Sequence, residues 1–275
     1  MTEINKVSFC GQYIVDIQVR KSYSPLMNKQ YLIKKIQTHF EKMSYKMRYL
    51  KTAMEKVAAT RKVNRYFAEL NTDRIIRETY FPDFNYKGTM IEVGGGTPSF
   101  LSMSKHFKMN GWRTIIIEPN PKYVELHKQC GNEIYEYACS NEDKDNADFQ
   151  VVHLSDDYEQ NRVTDHSYSA LAVKDDYLKR DNITINQLPV INIKVNVRKL
   201  NTILNEIGLT SFDFLSIDVE GWELDVLNGL DLNVYRPKVI LLENYLYDPE
   251  YITFMSKFNY RLDKQIDYNY IFIQN

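Results

Sequence analysis

The stretch Thr89-Met-Ile-Glu-Val-Gly-Gly-Gly-Thr-Pro-Ser-Phe-Leu-Ser-Met103 constrains the chain more than any other. Met90, Ile91 and Val93 read as a short buried strand and the glycines as a tight turn. Pro98 to Phe107 reads as the opening of a helix, with apolar residues at helical spacing. Gly94 and Gly96 let the backbone approach a ligand that a Cβ would push away, and a helix N-terminus behind them offers unpaired N–H groups. Glu92 in the strand and Gly94, Gly95 and Gly96 in the turn are therefore candidate binding residues. Glycines after a strand also occur as plain loops, so the turn does not decide the matter alone.

Twenty-two residues after Gly96, a second apolar run, Thr114-Ile-Ile-Ile-Glu118, ends in an acid followed by Pro119-Asn-Pro121. An acid at the tip of the second strand of a nucleotide-binding unit can accept both hydrogen bonds of a ribose diol. Glu118 is the candidate ribose ligand, with Pro119 and Asn120 beside it; the alternative is a solvated strand-end carboxylate. No Gly-Lys-Ser/Thr follows the glycine turn, and Pro98 stands where a dinucleotide fingerprint has its third glycine. The pattern favours S-adenosylmethionine over a dinucleotide.

The 275 residues suffice for one large domain with an appendage, and 44% apolar against 26% charged residues is a globular balance. No apolar run approaches the ~18 residues that cross a bilayer, and Met-Thr-Glu-Ile-Asn-Lys lacks the apolar core of a signal peptide. Cys10, Cys130 and Cys139 form neither a disulfide framework nor a zinc spacing. A soluble protein of the reducing cytoplasm is expected. The net charge of −1 is uneven: residues 1 to 80 hold 16 Lys and Arg against 7 Asp and Glu, or +9, leaving −10 for residues 81 to 275. A basic segment can meet an anionic partner such as nucleic acid, or its lysines can simply solvate helices.

Lys29 to Ala59 reads as an amphipathic helix and Arg61 to Thr79 as a second one, with Pro82 and Gly88 closing the segment. Residues 1 to 88 are expected to form a helical cap that shapes the acceptor pocket or, through the helix at 29 to 59, a homodimer face. Residues 89 to 275 form the catalytic domain. Within it, Lys122 to Cys130 reads as a helix and Ile134 to Ala138 as a third strand. The loop after that strand makes Ala138, Cys139 and Ser140 cofactor candidates. Between about 147 and 198 the pattern changes to an antiparallel β insertion, with strands expected at 149–153, 169–173 and 190–197. His166 lies in one of its loops and is a reserve base.

Leu200 to Ile207 reads as a helix and Phe212 to Ile217 as a fourth buried strand, which exits into Asp218-Val-Glu-Gly-Trp-Glu223. Carboxylates at the carboxyl end of a parallel strand point into the crevice where ligands bind. Asp218 is placed to hold the cofactor's ammonium or to act as a base; Glu220 and Glu223 also complement the next helix N-terminus, the better reading for Glu223. Lys238 to Glu243 is a fifth strand with an acid at its tip. A helix at 248–257 and a closing hairpin at 260–262 and 268–273 follow. The order predicts an α/β fold: a doubly wound, Rossmann-like seven-stranded sheet of the class I methyltransferase type, with an N-terminal helical segment and a β insertion.

Ile91-Glu-Val-Gly94, Ile117-Glu-Pro-Asn-Pro121, Ser216-Ile-Asp-Val-Glu-Gly-Trp-Glu223, Val226-Leu-Asn-Gly229 and Arg236-Pro-Lys-Val-Ile-Leu-Leu-Glu243 together resemble the FkbM methyltransferase family over roughly residues 89 to 245. The resemblance implies an S-adenosylmethionine-dependent enzyme and usually O-methylation of a small acceptor, often a sugar, glycan or natural product. Where the family commonly has Gly-Ala-Asn-x-Gly, this chain has Gly94-Gly95-Gly96-Thr97-Pro98; where a lysine often precedes the motif's aspartate by two residues, it has Ser216.

Methyl transfer to a hydroxyl needs alignment and a base that takes the proton, for which Asp218 and Glu243 are the candidates. Asp218, Glu220 and Glu243 also form an alternative hard-oxygen set for Mg²⁺. Two rival readings stand beside this one. One is RNA ribose 2′-O-methylation served by the basic N-terminal segment; the other is a non-catalytic binding protein on a methyltransferase scaffold.

Overall fold

The structure is a computed structural model that describes residues 4–9, 13–18, 65–152, 168–180 and 189–275. The helical reading of 29–59, the strand end at His153 and the reserve base His166 lie outside the described residues. The chain divides into two compact units, residues 1–60 and 61–275. In the first, β1 (Ile4–Phe9) pairs antiparallel with β2 (Tyr13–Gln18), a hairpin in a segment expected to be helical.

The second unit is built on a seven-stranded sheet. Its strands are β3 (Thr89–Val93), β4 (Arg113–Ile117), β5 (Glu133–Tyr135), β9 (Phe214–Ile217), β10 (Val239–Glu243), β11 (Tyr260–Ile266) and β12 (Asn269–Gln274). Their spatial order is β11-β12-β10-β9-β3-β4-β5, with β12 antiparallel to β10 and the strands from β10 through β5 parallel. Each central strand is apolar on both faces, as a sheet covered twice requires. Met90, Phe214, Val239 and Leu241 face α1 (Thr72–Tyr80) and α2 (Met103–Met109) through Ile76, Tyr80 and Phe107. The alternate set, Ile91, Val93, Leu215, Ile217, Ile240 and Leu242, packs with Leu200, Ile203 and Leu204 of α5 (Leu200–Glu206). Val226 and Leu227 of α6 (Glu223–Asn228) and Tyr251 and Met255 of α7 (Glu250–Ser256) complete that layer. Burying each such aliphatic side chain is worth roughly 1.5–3 kcal/mol, so the doubly wound arrangement dominates the fold's stability. Residues 65–80 share this core, so α1 belongs to the sheet's own unit rather than to a separate segment ending at residue 88.

Between α3 (Pro121–Gln129) and α5 lies a smaller sheet of β6 (Ala138–Cys139), β8 (Val190–Arg198) and β7 (Lys144–Val152), with β7 and β8 antiparallel as the insertion's pattern predicts. The strand expected at 169–173 is only an isolated bridge, Gln150 to Ala170, followed by α4 (Asp175–Arg180). Ala138, expected at the end of the third strand, pairs instead with Val197 in the small sheet.

The helix expected from Pro98 begins at Met103. Residues 98–102 are irregular, with Leu101 at φ 53°. Its first N–H groups are not free for a ligand: Met103 N–H donates to Glu92 Oε1 at 2.9 Å and Ser104 N–H to Oε2 at 3.3 Å. The capping charge that a ligand was expected to supply comes from the strand's own glutamate.

Candidate active site

β3 lies between β4 and β9, so chain order reverses there and a crevice opens beyond the carboxyl ends of the strands. Hydrogen bonds from Gly94 N–H to Ile117 O at 3.0 Å and from Asp218 N–H to Val93 O at 3.0 Å bring the glycine turn and the acidic loop together. Gly94 sits at φ 80°, and a Cβ there would stand 1.7 Å from the carbonyl oxygen of Asp218. Only glycine allows the two loops to touch.

Two compartments meet at this contact. The first has Glu118, Pro119, Asn120, Ala138 and Cys139 on its walls, together with the aromatic residues Tyr123, Tyr137, Phe149 and Trp222. The second is lined by Glu69, Glu92, Gly95, Gly96, Glu243, Phe100, Tyr168, Tyr245 and Tyr268. Gly94, Asp218 and Glu220 border both. The crevice therefore collects the glycines and every candidate acid. Ser140 is buried beside it without lining either compartment, its N–H donating to Arg198 O at 3.3 Å.

Glu118 is buried and its carboxylate bridges two backbone groups: Oε2 accepts from Gly96 N–H at 2.9 Å and Oε1 from Asn120 N–H at 2.8 Å. It shapes the glycine turn, and each oxygen keeps lone-pair capacity toward the first compartment. Asn120 in turn caps α3, its Oδ1 accepting from Lys122 N–H at 3.0 Å ahead of Pro121 at the first helical position. Cys139 is buried, and burial holds its thiol protonated, so it contributes surface rather than a nucleophile.

The acids differ in what they hold. Glu223 is fully buried and spans the loop: Oε1 accepts from Val219 and Gly221 N–H, both at 3.0 Å, and Oε2 from the Tyr251 hydroxyl at 2.6 Å. It fastens the loop ahead of α6, a role different from the helix-start complement expected of it. Burial pushes Glu92 and Glu118 up to about 7 against the pull of the N–H groups they accept. Asp218 is accessible from the cleft, yet walled by protein; desolvation, then the charges of Glu223 and Glu69, push it up to about 7. Glu243 stands close enough to Asp218 for the two carboxyls to influence each other's ionisation. Burial first, then mutual repulsion, raises Glu220 and Glu243 as well. Glu243 Oε2 is buried and has no hydrogen-bond partner. Among the described residues no three acidic, His or Cys side chains are arranged to hold a metal ion, so Asp218, Glu220 and Glu243 do not form the alternative Mg²⁺ set in this geometry.

Glu69, Tyr168, Tyr245 and Tyr268 escape the reading of the sequence. Glu69 lies in a 3-10 turn, Glu69–Asn71, with Leu70 at φ 52° and Asn71 at φ 56°, which ends the helix expected from Arg61 and turns the acid toward the cleft. Asn71-Thr72 is a helix-start signal that could have marked that break. The tyrosines come from three loops whose convergence no local pattern encodes.

The FkbM methyltransferase domain model matches residues 88–262. No curated protein is similar to the chain. Among solved structures, similarity is found to a methyltransferase FkbM from Methylobacillus flagellatus KT, at 10% identity and a TM-score of 0.41, covering 82% of this chain. The chain spans 60% of that protein's length. A precorrin-6y C5,15-methyltransferase from Geobacter metallireducens GS-15 is similar at 14% identity and a TM-score of 0.35, over 76% of this chain and 91% of that one. With a family match across well over half its length, the chain belongs to the FkbM methyltransferase family.

Proposed function

We propose that the chain is an S-adenosylmethionine-dependent O-methyltransferase acting on a small hydroxylated acceptor. The observation that carries this reading is the pair of compartments joined at Gly94, Asp218 and Glu220. The first suits an adenosyl group: aromatic and apolar walls for a base, with Glu118 and Asn120 on the wall as the ribose ligands of this reading. When bound, S-adenosylmethionine supplies a methyl group already activated by its sulfonium. The chain's own task is to align an acceptor hydroxyl with that methyl and take its proton.

Asp218 is the base in this reading. It stands where the compartments meet, and a carboxylate at about 7 is matched to proton abstraction near neutral pH. With the cofactor bound, Asp218 would take the proton that the acceptor hydroxyl gives up as it is methylated. Glu243, beside Asp218 on the second compartment's wall, tunes its ionisation by charge. A small acceptor is favoured over RNA because the second compartment is lined by carboxylates, which repel a phosphate backbone. The cytoplasm, where this cofactor is made and used, is the setting that suits the reading.

Incubation with methyl-deuterated S-adenosylmethionine and a panel of sugars, glycosides and phenols tests it. Acceptor-dependent release of S-adenosylhomocysteine, with label on oxygen and loss in Asp218→Asn, is expected. A protein that binds the cofactor yet transfers no methyl to any of them would favour the non-catalytic scaffold reading.

A further inference from the structure

The second compartment is unusual in its charge. Glu69, Glu92, Asp218, Glu220 and Glu243 all line it, and no Lys, Arg or His among the described residues does. Glu92 is occupied by the start of α2. The other four exceed what the cofactor can neutralise: S-adenosylmethionine has a sulfonium, an ammonium and a carboxylate, hence one net positive charge. Glu69 and Glu243 border only the second compartment, away from the adenosyl walls. Glu243 Oε2 is buried there with nothing donating to it. A buried, unpartnered carboxylate oxygen costs free energy unless a donor arrives.

The remaining walls fit the same occupant. Tyr168, Tyr245 and Tyr268 also line the compartment, residues of a type that can favour a bound ammonium. Tyr245 and Tyr268 already face one cation, the Arg180 guanidinium at 3.8 Å and 5.8 Å from their centroids, which does not itself line the compartment. Tyr268 and Glu69 are neighbours on that wall. The described geometry gathers no metal-holding set, so an organic cation fits better than a divalent ion.

We infer that the acceptor is a hydroxylated amine, an amino sugar being the type case, whose ammonium is held by Glu69 and Glu243 while its hydroxyl is presented to Asp218. This deepens the methyltransferase reading and rests on it. Glu69 lies outside the family match, so this recognition is a feature of this chain rather than of the shared domain. Because neighbouring carboxylates cannot all ionise in the empty compartment, an arriving ammonium draws protons off them and binding releases protons to solvent.

The test is calorimetric titration of the full chain with glucosamine, N-acetylglucosamine and glucose, with and without S-adenosylhomocysteine, in two buffers of different ionisation heat. Glucosamine is expected to bind at least roughly tenfold more tightly than either neutral sugar, about 1.4 kcal/mol, with a buffer-dependent heat that reports proton release. Glu69→Gln and Glu243→Gln should each erase most of that preference while leaving S-adenosylhomocysteine affinity unchanged, which also shows that the variants fold. Equal or weaker binding of glucosamine, no binding of any of the three sugars, or a preference that survives both substitutions would overturn the inference. So would tight binding of Mg²⁺ alone that glucosamine cannot displace. Failure of S-adenosylhomocysteine to bind strikes the methyltransferase reading instead, and the sugar comparison without it is scored separately.

Discussion

Asp218 and Glu220 are two residues apart and do different things. Asp218 must be ionised to accept a proton, so turnover should rise with pH through about 7 and then level off. Asp218→Asn should lower kcat by roughly 10²–10⁴-fold and flatten that pH profile. S-adenosylhomocysteine affinity, measured by calorimetry, should stay within a few-fold. Glu220 holds φ 55°, a conformation that favours glycine. Glu220→Gly should therefore gain about 1 kcal/mol in denaturant unfolding while impairing methyl transfer. Leu101 at φ 53° and Tyr168 at φ 64° also line the second compartment, so strained backbone gathers at the cleft. The acids after β9 were legible in the sequence because a parallel strand must deliver its exit residues to the crevice. Glu69 was not: its position depends on a left-handed Leu70 and on packing across the sheet, and neither has a signature in spacing.

At the level of elements, the glycine turn and α2 were read correctly in kind and wrongly in register. Pro98 looked like the first residue of a helix that would offer N–H groups to a ligand. Instead the chain runs irregularly to Met103, and Glu92 satisfies the helix start from inside β3. That exchange is tertiary, between residues eleven and twelve apart, and local periodicity could not reveal it. Two substitutions separate the accounts. Glu92→Gln keeps the shape but offers one acceptor to two N–H groups, and should cost about 1–3 kcal/mol in equilibrium unfolding. Pro98→Ala, at a residue that lines neither compartment, should leave S-adenosylhomocysteine affinity within a few-fold. A large loss of affinity in that variant would return Pro98 to the cradle. The β insertion shows the same division: β8 follows the strict alternation of 190–197 and pairs with β7, whereas the expected strand at 169–173 lacks a partner beyond one bridge and gives way to α4.

For the whole second unit, stability and function pull on the same groups. Burial raises Glu92, Glu118 and Asp218 from ordinary carboxylate values to about 7, and Glu220 and Glu243 move the same way. Between the unfolded value of 4.5 for Glu and about 7, the folded state binds more protons than the unfolded one, so stability falls as pH rises through that window. His106 and His127 are buried with lowered values and oppose this, contributing stability that is lost as pH drops below 6.5. Five carboxyls outnumber two imidazoles, so thermal unfolding should show Tm declining as pH rises from about 4.5 to about 7. A Tm that climbs across that range would mean the carboxyls are not held neutral. The alternation of strands and helices made the seven-stranded order legible, because only one handed winding buries both faces of such strands. The pairing of an adenosyl compartment with an acidic one was not legible, since it is a property of converging loops.

The central claim is that the crevice at Gly94 and Asp218 is an adenosyl site, and calorimetric titration of the full chain with S-adenosylhomocysteine, beside NAD as a control, tests it most directly. Saturable one-to-one binding of S-adenosylhomocysteine, with none of NAD and with strong loss in Gly94→Ala, is the predicted result. Absence of heat from S-adenosylhomocysteine in a protein that unfolds cooperatively, or tighter binding of NAD, would contradict it.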